Sequence, residues 1–214
     1  LGAGWKHDSG NENASLASSV SGGWLGGSEN LLRGSAGYAR IFPDPFSDRR
    51  IAWAFRGSLF GVGSYRGEMP LAARLFTSDS LVRGFRPGEL GPYALLHSTN
   101  SSGSQSFSAS PAGANIFSAG NAEYRAPIAK GLEAAAFFDT GSGWMLPNWL
   151  GSARPALIRS TNGLLRGSAG PELRYTIPGV QVPVRFYYAV NLLRLNRSFL
   201  APNASSVLLR NRRS

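Results

Sequence analysis

From Leu164 to Ile177 the chain changes character at every residue. Leu165, Gly167, Ala169, Pro171, Leu173, Tyr175 and Ile177 share one parity, and Arg166, Ser168, Gly170, Glu172, Arg174 and Thr176 share the other. Successive side chains of an extended strand point to opposite faces, so one face is apolar or small and the other polar. After the turn Pro178-Gly179-Val180-Gln181 the pattern repeats, with Val182, Val184, Phe186, Tyr188, Val190 and Leu192 opposite Arg185, Tyr187 and Asn191. Arg50 to Val62 places Ile51, Trp53, Phe55 and Leu59 opposite Arg50, Arg56 and Ser58. Strands of soluble domains run about five or six residues, whereas a tilted strand needs about ten to cross a hydrocarbon layer. The length of these runs predicts an all-β fold, an antiparallel transmembrane β-barrel wall.

The rest of the chain fits that reading. Its 27 glycines and 13 prolines interrupt almost every apolar segment, and no run repeats apolar residues at helical spacing. Eight strands are expected, over Leu1–Asp8, Ala14–Leu25, Asn30–Phe42, Arg50–Tyr65, Ala114–Pro127, Gly131–Trp144, Leu164–Ile177 and Val182–Leu193. Transmembrane barrels join strands by short turns at the periplasmic end and longer loops outside. Asp8–Asn13, Phe42–Arg49, Pro127–Lys130 and Pro178–Gln181 form the short set, and Leu25–Glu29, Arg66–Gly113 and Met145–Gly163 the other. Trp5, Trp24, Trp53, Trp144 and Trp149 are expected near strand ends, as an interfacial girdle requires. The serine-rich Ser98–Ser110 reads as flexible and solvated. The heptapeptides Leu31–Gly37 and Leu164–Gly170 are identical, a shared answer to one environment in a hairpin architecture.

A net charge of +10 first suggests nucleic acid, but the basic residues are nearly all arginines scattered along alternating segments, apart from the pair Arg49-Arg50 and the terminal Arg210-Asn211-Arg212-Arg213. A polar lumen or a lipopolysaccharide leaflet suits such arginines, and no nucleic-acid partner is expected. Cysteine is absent and the two histidines, His7 and His97, are far apart in sequence, so no metal site or other cofactor is expected. Neither histidine has a nucleophile motif beside it, and the chain is not expected to be an enzyme. No stretch approaches the about 18 apolar residues of a membrane-spanning helix.

A loop of the length of Arg66–Gly113 is usually functional or disordered. Within it, Leu81 to Tyr93 has the apolar anchors, glycines and prolines of an ordered, folded-back segment. The run Val82-Arg83-Gly84-Phe85 there resembles the BamA/TamA family of outer-membrane assembly proteins, also called the bacterial surface antigen family, in which such a run tips the long loop entering the barrel. Glu68-Met69-Pro70-Leu71 resembles the stretch before that tip and Gly88–Pro92 the Gly-Pro ending after it. Gly113-Ala114-Asn115 with Glu123-Tyr124-Arg125-Ala126-Pro127-Ile128 resembles the family's strand opening with its later glutamate and proline. Phe137-Phe138-Asp139-Thr140-Gly141 resembles its aromatic-Asp-X-Gly strand, and Gly170 to Ala189 its penultimate hairpin. In the alternation, Glu123 shares a face with Asn121 and Arg125, and Asp139 shares one with Glu133; both acids face the lumen. An arginine entering on a loop could offer its planar fork to both carboxylates, with Gly84 permitting close backbone approach and Phe85 wedging against the wall.

The resemblance implies a barrel of the Gram-negative outer membrane that helps fold and insert β-barrel proteins. Its implied partners are unfolded outer-membrane protein substrates, the lipid bilayer with lipopolysaccharide, and accessory lipoproteins of an assembly complex. Residues 1–214 would then be a partial barrel, the C-terminal portion and about half of a sixteen-stranded wall, without the seam between first and last strands. Two other readings are a secretion or translocation pore of the same superfamily with the loop as plug, and a small self-contained structural barrel.

Overall fold

A computed structural model describes residues 1–26, 29–47, 51–77, 80–146, 156–178, 182–200 and 206–210. The strands are β1 Gly2–Asp8, β2 Glu12–Ser21, β3 Leu31–Pro43, β4 Ala52–Ser64, β5 Tyr93–Thr99, β6 Gln105–Pro111, β7 Ile116–Ala129, β8 Leu132–Trp144, β9 Arg166–Thr176, β10 Pro183–Tyr187, β11 Val190–Leu193, β12 Asn196–Leu200 and β13 Ser206–Arg210. The main sheet is antiparallel throughout in the order β1-β2-β3-β4-β7-β8-β9-β10, with β11 also pairing to β9. Neighbours in sequence are neighbours in the sheet except between β4 and β7, where the long loop with its own hairpin, β5–β6, is inserted. Among the described residues β1 pairs only with β2, so the wall is open. At 13 residues in β3, β4 and β8 and 14 in β7, each strand reaches roughly 40 Å, enough to cross a bilayer core when tilted.

The register gives the sheet two unlike faces. On the outer face, Trp5, Leu16, Ala36 and Leu59 lie opposite one another across four strands, and Phe42, Trp53 and Tyr124 form a second row near the Pro43–Ala52 turn. Phe138, Leu173 and Phe186 continue this face, and it is open: Leu59 is 50% exposed and Phe186 66%. A soluble sheet would bury such a face; lipid covers it at no cost. The inner face carries Arg56, Asn121, Glu123, Arg125, Asp139, Ser168, Glu172 and Arg174, and the loop lies on it.

Several expected boundaries move. The second strand ends at Ser21 rather than Leu25, because Gly22-Gly23 turn the chain into a 3-10 turn, Gly23–Leu25. Val182–Leu193 is two pieces, β10 and β11. Ser98–Ser110 is not an irregular loop but most of the β5–β6 hairpin. Its turn is built by the Asn100 carboxamide oxygen, which accepts the Ser102 and Ser104 backbone N–H groups and the Ser102 hydroxyl. The base of the hairpin is held by Ala156–Ile158, whose backbone bonds Tyr93 and Leu95. Trp53 stands at a strand end against Tyr124, with ring centroids 4.7 Å apart, and Trp24 is exposed in the opposite connection, but Trp5 lies within β1. Trp149, the segments Asp48–Arg50 and Gly179–Gln181, and Asn211–Ser214 lie outside the described residues.

Candidate functional site

The loop tip is bound as backbone before it is bound as side chain. Asn121 on β7, Asp139 on β8, Ser168 on β9 and Asn191 on β11 are directly opposite one another, forming one inward-facing row across the sheet. Each holds one main-chain group of the tip. The Asn121 carboxamide donates to the Leu81 carbonyl at 2.9 Å, and Asp139 accepts the Arg83 N–H at 3.1 Å. The Ser168 hydroxyl donates to the Arg83 carbonyl at 2.6 Å, and the Asn191 carboxamide donates to the Gly84 carbonyl at 2.8 Å. The tip therefore runs across the strands along this row, with these four main-chain groups paired away from water.

The Arg83 guanidinium then occupies the centre of three carboxylates. Its Nε and Nη2 meet Asp139 Oδ2 and Oδ1 at 2.7 Å each, the bidentate fork that lysine cannot make. Nη2 also reaches Glu123 Oε1 at 2.8 Å, and Nη1 bonds Glu172. Its Cζ lies over the Phe137 ring, 3.7 Å from the ring centroid. Burial opposes the charge of Arg83, but the hydrogen bonds and charge of Asp139, with the charges of Glu123 and Glu172, outweigh it and hold the guanidinium above its ordinary value. A second layer balances the acids: Arg174 bonds both Glu123, at 2.6 Å, and Glu172, and Arg125 reaches Glu123 at 2.7 Å. Three arginines thus answer three carboxylates, which is what makes so many charges tolerable inside a wall.

The neighbours of Arg83 supply packing. Val82 and Phe85 are buried with Leu90 against Phe117 and Ala119 of β7. Gly84 has φ +85°, and a Cβ there would stand 2.7 Å from Asn191 Oδ1 and 2.8 Å from Ala189 Cβ, so both conformation and space require glycine. Above the tip, Asn115 bonds the Leu146 N–H and carbonyl, and Met69 is buried with Leu31, Val62 and Met145. The loop is thereby anchored near its start, at Met69, as well as at its tip.

Val82, Arg83, Gly84, Phe85, Glu123 and Asp139 thus come together in one place. The sequence reading omitted Glu172, Arg174, Ser168 and Asn191. All four stood on the polar parity of their segments, but joining them to the site needs the register of β9 with β8 and β11. Among the described residues no cluster of His, Cys, Asp or Glu is arranged to hold a metal ion; the converging carboxylates are filled by Arg83.

Comparison with known proteins adds lineage to this geometry. The profile of the Omp85 superfamily domain matches residues 4–197. Among solved structures, the crystal structure of BamA from Haemophilus ducreyi lacking POTRA domains 1-3 superimposes with a TM-score of 0.69 at 18% identity, covering 91% of this chain and 39% of that one. This chain therefore spans well under half the length of that relative, and the likeness is one of fold. No curated protein matches the sequence.

Proposed function

The chain belongs to the Omp85 superfamily, and from that premise we propose that it is part of the barrel wall of an outer-membrane protein insertion factor. Its substrates are unfolded β-barrel proteins, its surroundings the bilayer and lipopolysaccharide, and its accessory subunits lipoproteins of an assembly complex. The role is mechanical rather than catalytic. An unpaired strand edge in lipid is costly because its N–H and C=O groups find no water, so an incoming strand that pairs with it is stabilised. A wall that offers such an edge must not collapse or reregister while pairing changes elsewhere. The observation that carries this reading is the tip of the loop: one row of side chains from four strands holds its backbone while Arg83 gathers acids from β7, β8 and β9. Such a brace keeps these strands in one register.

The test uses the full-length protein in phospholipid vesicles, timing the folding of a urea-unfolded outer-membrane protein. Acceleration by the wild type, and loss of at least tenfold of it in Arg83→Ala, are expected; a wild type that gives no acceleration overturns the reading. The position of the tip inside the lumen also favours a plugged translocation pore. Conductance before and after deleting Arg66–Gly113 separates the two. A large steady pore appearing only after deletion supports plugging, and unchanged conductance counts against it.

A further inference from the structure

The pairing between β9 and the strand that follows it is broken at mid-height, unlike the pairing between β7 and β8. Between β7 and β8 the ladder runs from Ile116↔Trp144 to Pro127↔Glu133 without a gap. Between β9 and β10 it runs only from Pro183↔Thr176 to Tyr187↔Glu172, stops at Tyr188-Ala189, and resumes along β11 from Val190↔Ala169, with a further register shift between Asn191 and Leu193.

The cause of the gap is in β9 itself. The Tyr188 N–H donates to the Pro171 carbonyl at 3.1 Å. In an antiparallel ladder the opposite residue returns such a bond through its own N–H, and proline has none. The strand therefore loses a rung at mid-height, where proline is otherwise confined to edges and bulges. The Tyr188 carbonyl swings over Gly170, so closely that a Cβ at Gly170 would lie 1.8 Å from it. The Gly170-Pro171 pair thus removes a hydrogen bond and makes room for the distortion.

The loop tip crosses this weak boundary. Ser168 on β9 and Asn191 on β11, a directly paired couple just beyond the gap, hold the adjacent carbonyls of Arg83 and Gly84. Ala189, within the gap, packs against Gly84. Across β7, β8 and β9 the tip adds to an unbroken ladder, but across β9 and β11 it spans a short one, bounded by the gap on one side and by the register shift after Asn191 on the other. We infer that the β9–β10/β11 boundary is a second yielding seam within the wall, closed by the loop tip through the positioning residues Ser168 and Asn191 and opened when the tip withdraws. The activity arm of its test rests on the insertion reading above; the exchange arm does not.

Amide hydrogen exchange on the full-length protein in detergent or nanodiscs reads the seam directly. Amides of Val190–Leu193 are expected to exchange at least tenfold faster than those of Phe117–Arg125. Asn191→Ala should speed the former a further tenfold and leave β3–β4 unchanged, whereas Pro171→Val, which restores the missing donor, should slow them. Equal protection at the two boundaries, or no response to either substitution, overturns the inference. For the activity arm, the cysteine-free chain permits a disulfide between the register partners Ala169→Cys and Val190→Cys, with Ala122→Cys and Phe138→Cys as a control across β7–β8. The oxidised seam pair should cut vesicle insertion at least fivefold, reversibly with reductant, while the control stays within twofold. Full activity in the oxidised seam variant sinks the seam; absence of insertion in the uncrosslinked protein sinks the functional reading and leaves the exchange result to decide the seam.

Discussion

The long loop contains two ordered regions that owe their order to opposite causes. The tip, Leu81 to Leu90, contains turns but no helix or strand; Val82, Phe85 and Leu90 are buried, and its backbone is held by side chains of the wall strands. The β5–β6 hairpin is the reverse: it pairs with itself from Tyr93↔Pro111 to Thr99↔Gln105, its turn is organised by Asn100, and Leu96 is 50% exposed. The tip is therefore only as stable as the wall it lies on, whereas the hairpin carries its own pairing and is tied at its base to Ala156–Ile158. A segment held mainly by contacts with another element can be released as a unit; a self-paired one moves as a rigid arm.

Substitutions at the tip should expose this asymmetry, beginning with the largest effect. Arg83→Ala leaves three buried carboxylates short of a cation and should loosen the tip by about 3–5 kcal/mol, the usual cost of breaking a buried charge pair. Limited proteolysis would register new cleavage between Arg66 and Gly113, and an unchanged digestion pattern would remove the lock from consideration. Arg83→Lys should recover less than half of the loss, since the ammonium cannot span both Asp139 oxygens. Glu172→Gln keeps the shape but gives up charge opposite Arg83 and Arg174, at a cost of about 1.5–3 kcal/mol. The temperature at which the folded band disappears on cold electrophoresis should fall accordingly, and a stable band would count against the third acid. Asn121→Ala strips one bond from the Leu81 carbonyl, for about 1 kcal/mol. Its tip should be cleaved faster than wild type but slower than in Arg83→Ala, and the reverse ranking would mean that backbone capture dominates. Replacing Ser101 and Ser102 by glycine in the hairpin turn should change wall stability by less than about 0.5 kcal/mol. A shift as large as that of Asn121→Ala would erase the contrast between the two regions.

The faces of the strands were legible because alternation is a property of each strand alone. Glu123, Asp139, Glu172 and Arg174 could all be assigned to the polar side of their segments by counting. Which of them meet was not legible, since pairing depends on register between strands far apart in sequence: Asp139 opposite Ser168, and Ser168 opposite Asn191, follow from where turns close. The hairpin was misread for a related reason. Serine and asparagine have low strand propensity, and the order of Ser98–Ser110 comes from the Asn100 turn and from Ala156–Ile158, a segment with no local signal. Pro171 was visible in the sequence and fitted the apolar parity, so only its cross-strand partner, Tyr188, revealed the missing rung.

By itself the sequence determined the fold class, the apolar and polar faces of the wall, and the motif Val82–Phe85, because these depend on the period of a strand and on a short run of residues. The tertiary structure alone decided that Arg83 gathers a third acid, that a single row reads the tip backbone, and that the wall has a weak boundary beneath it. Each of these depends on which residues lie opposite one another, and that is settled by the closing of loops and the packing of the whole sheet.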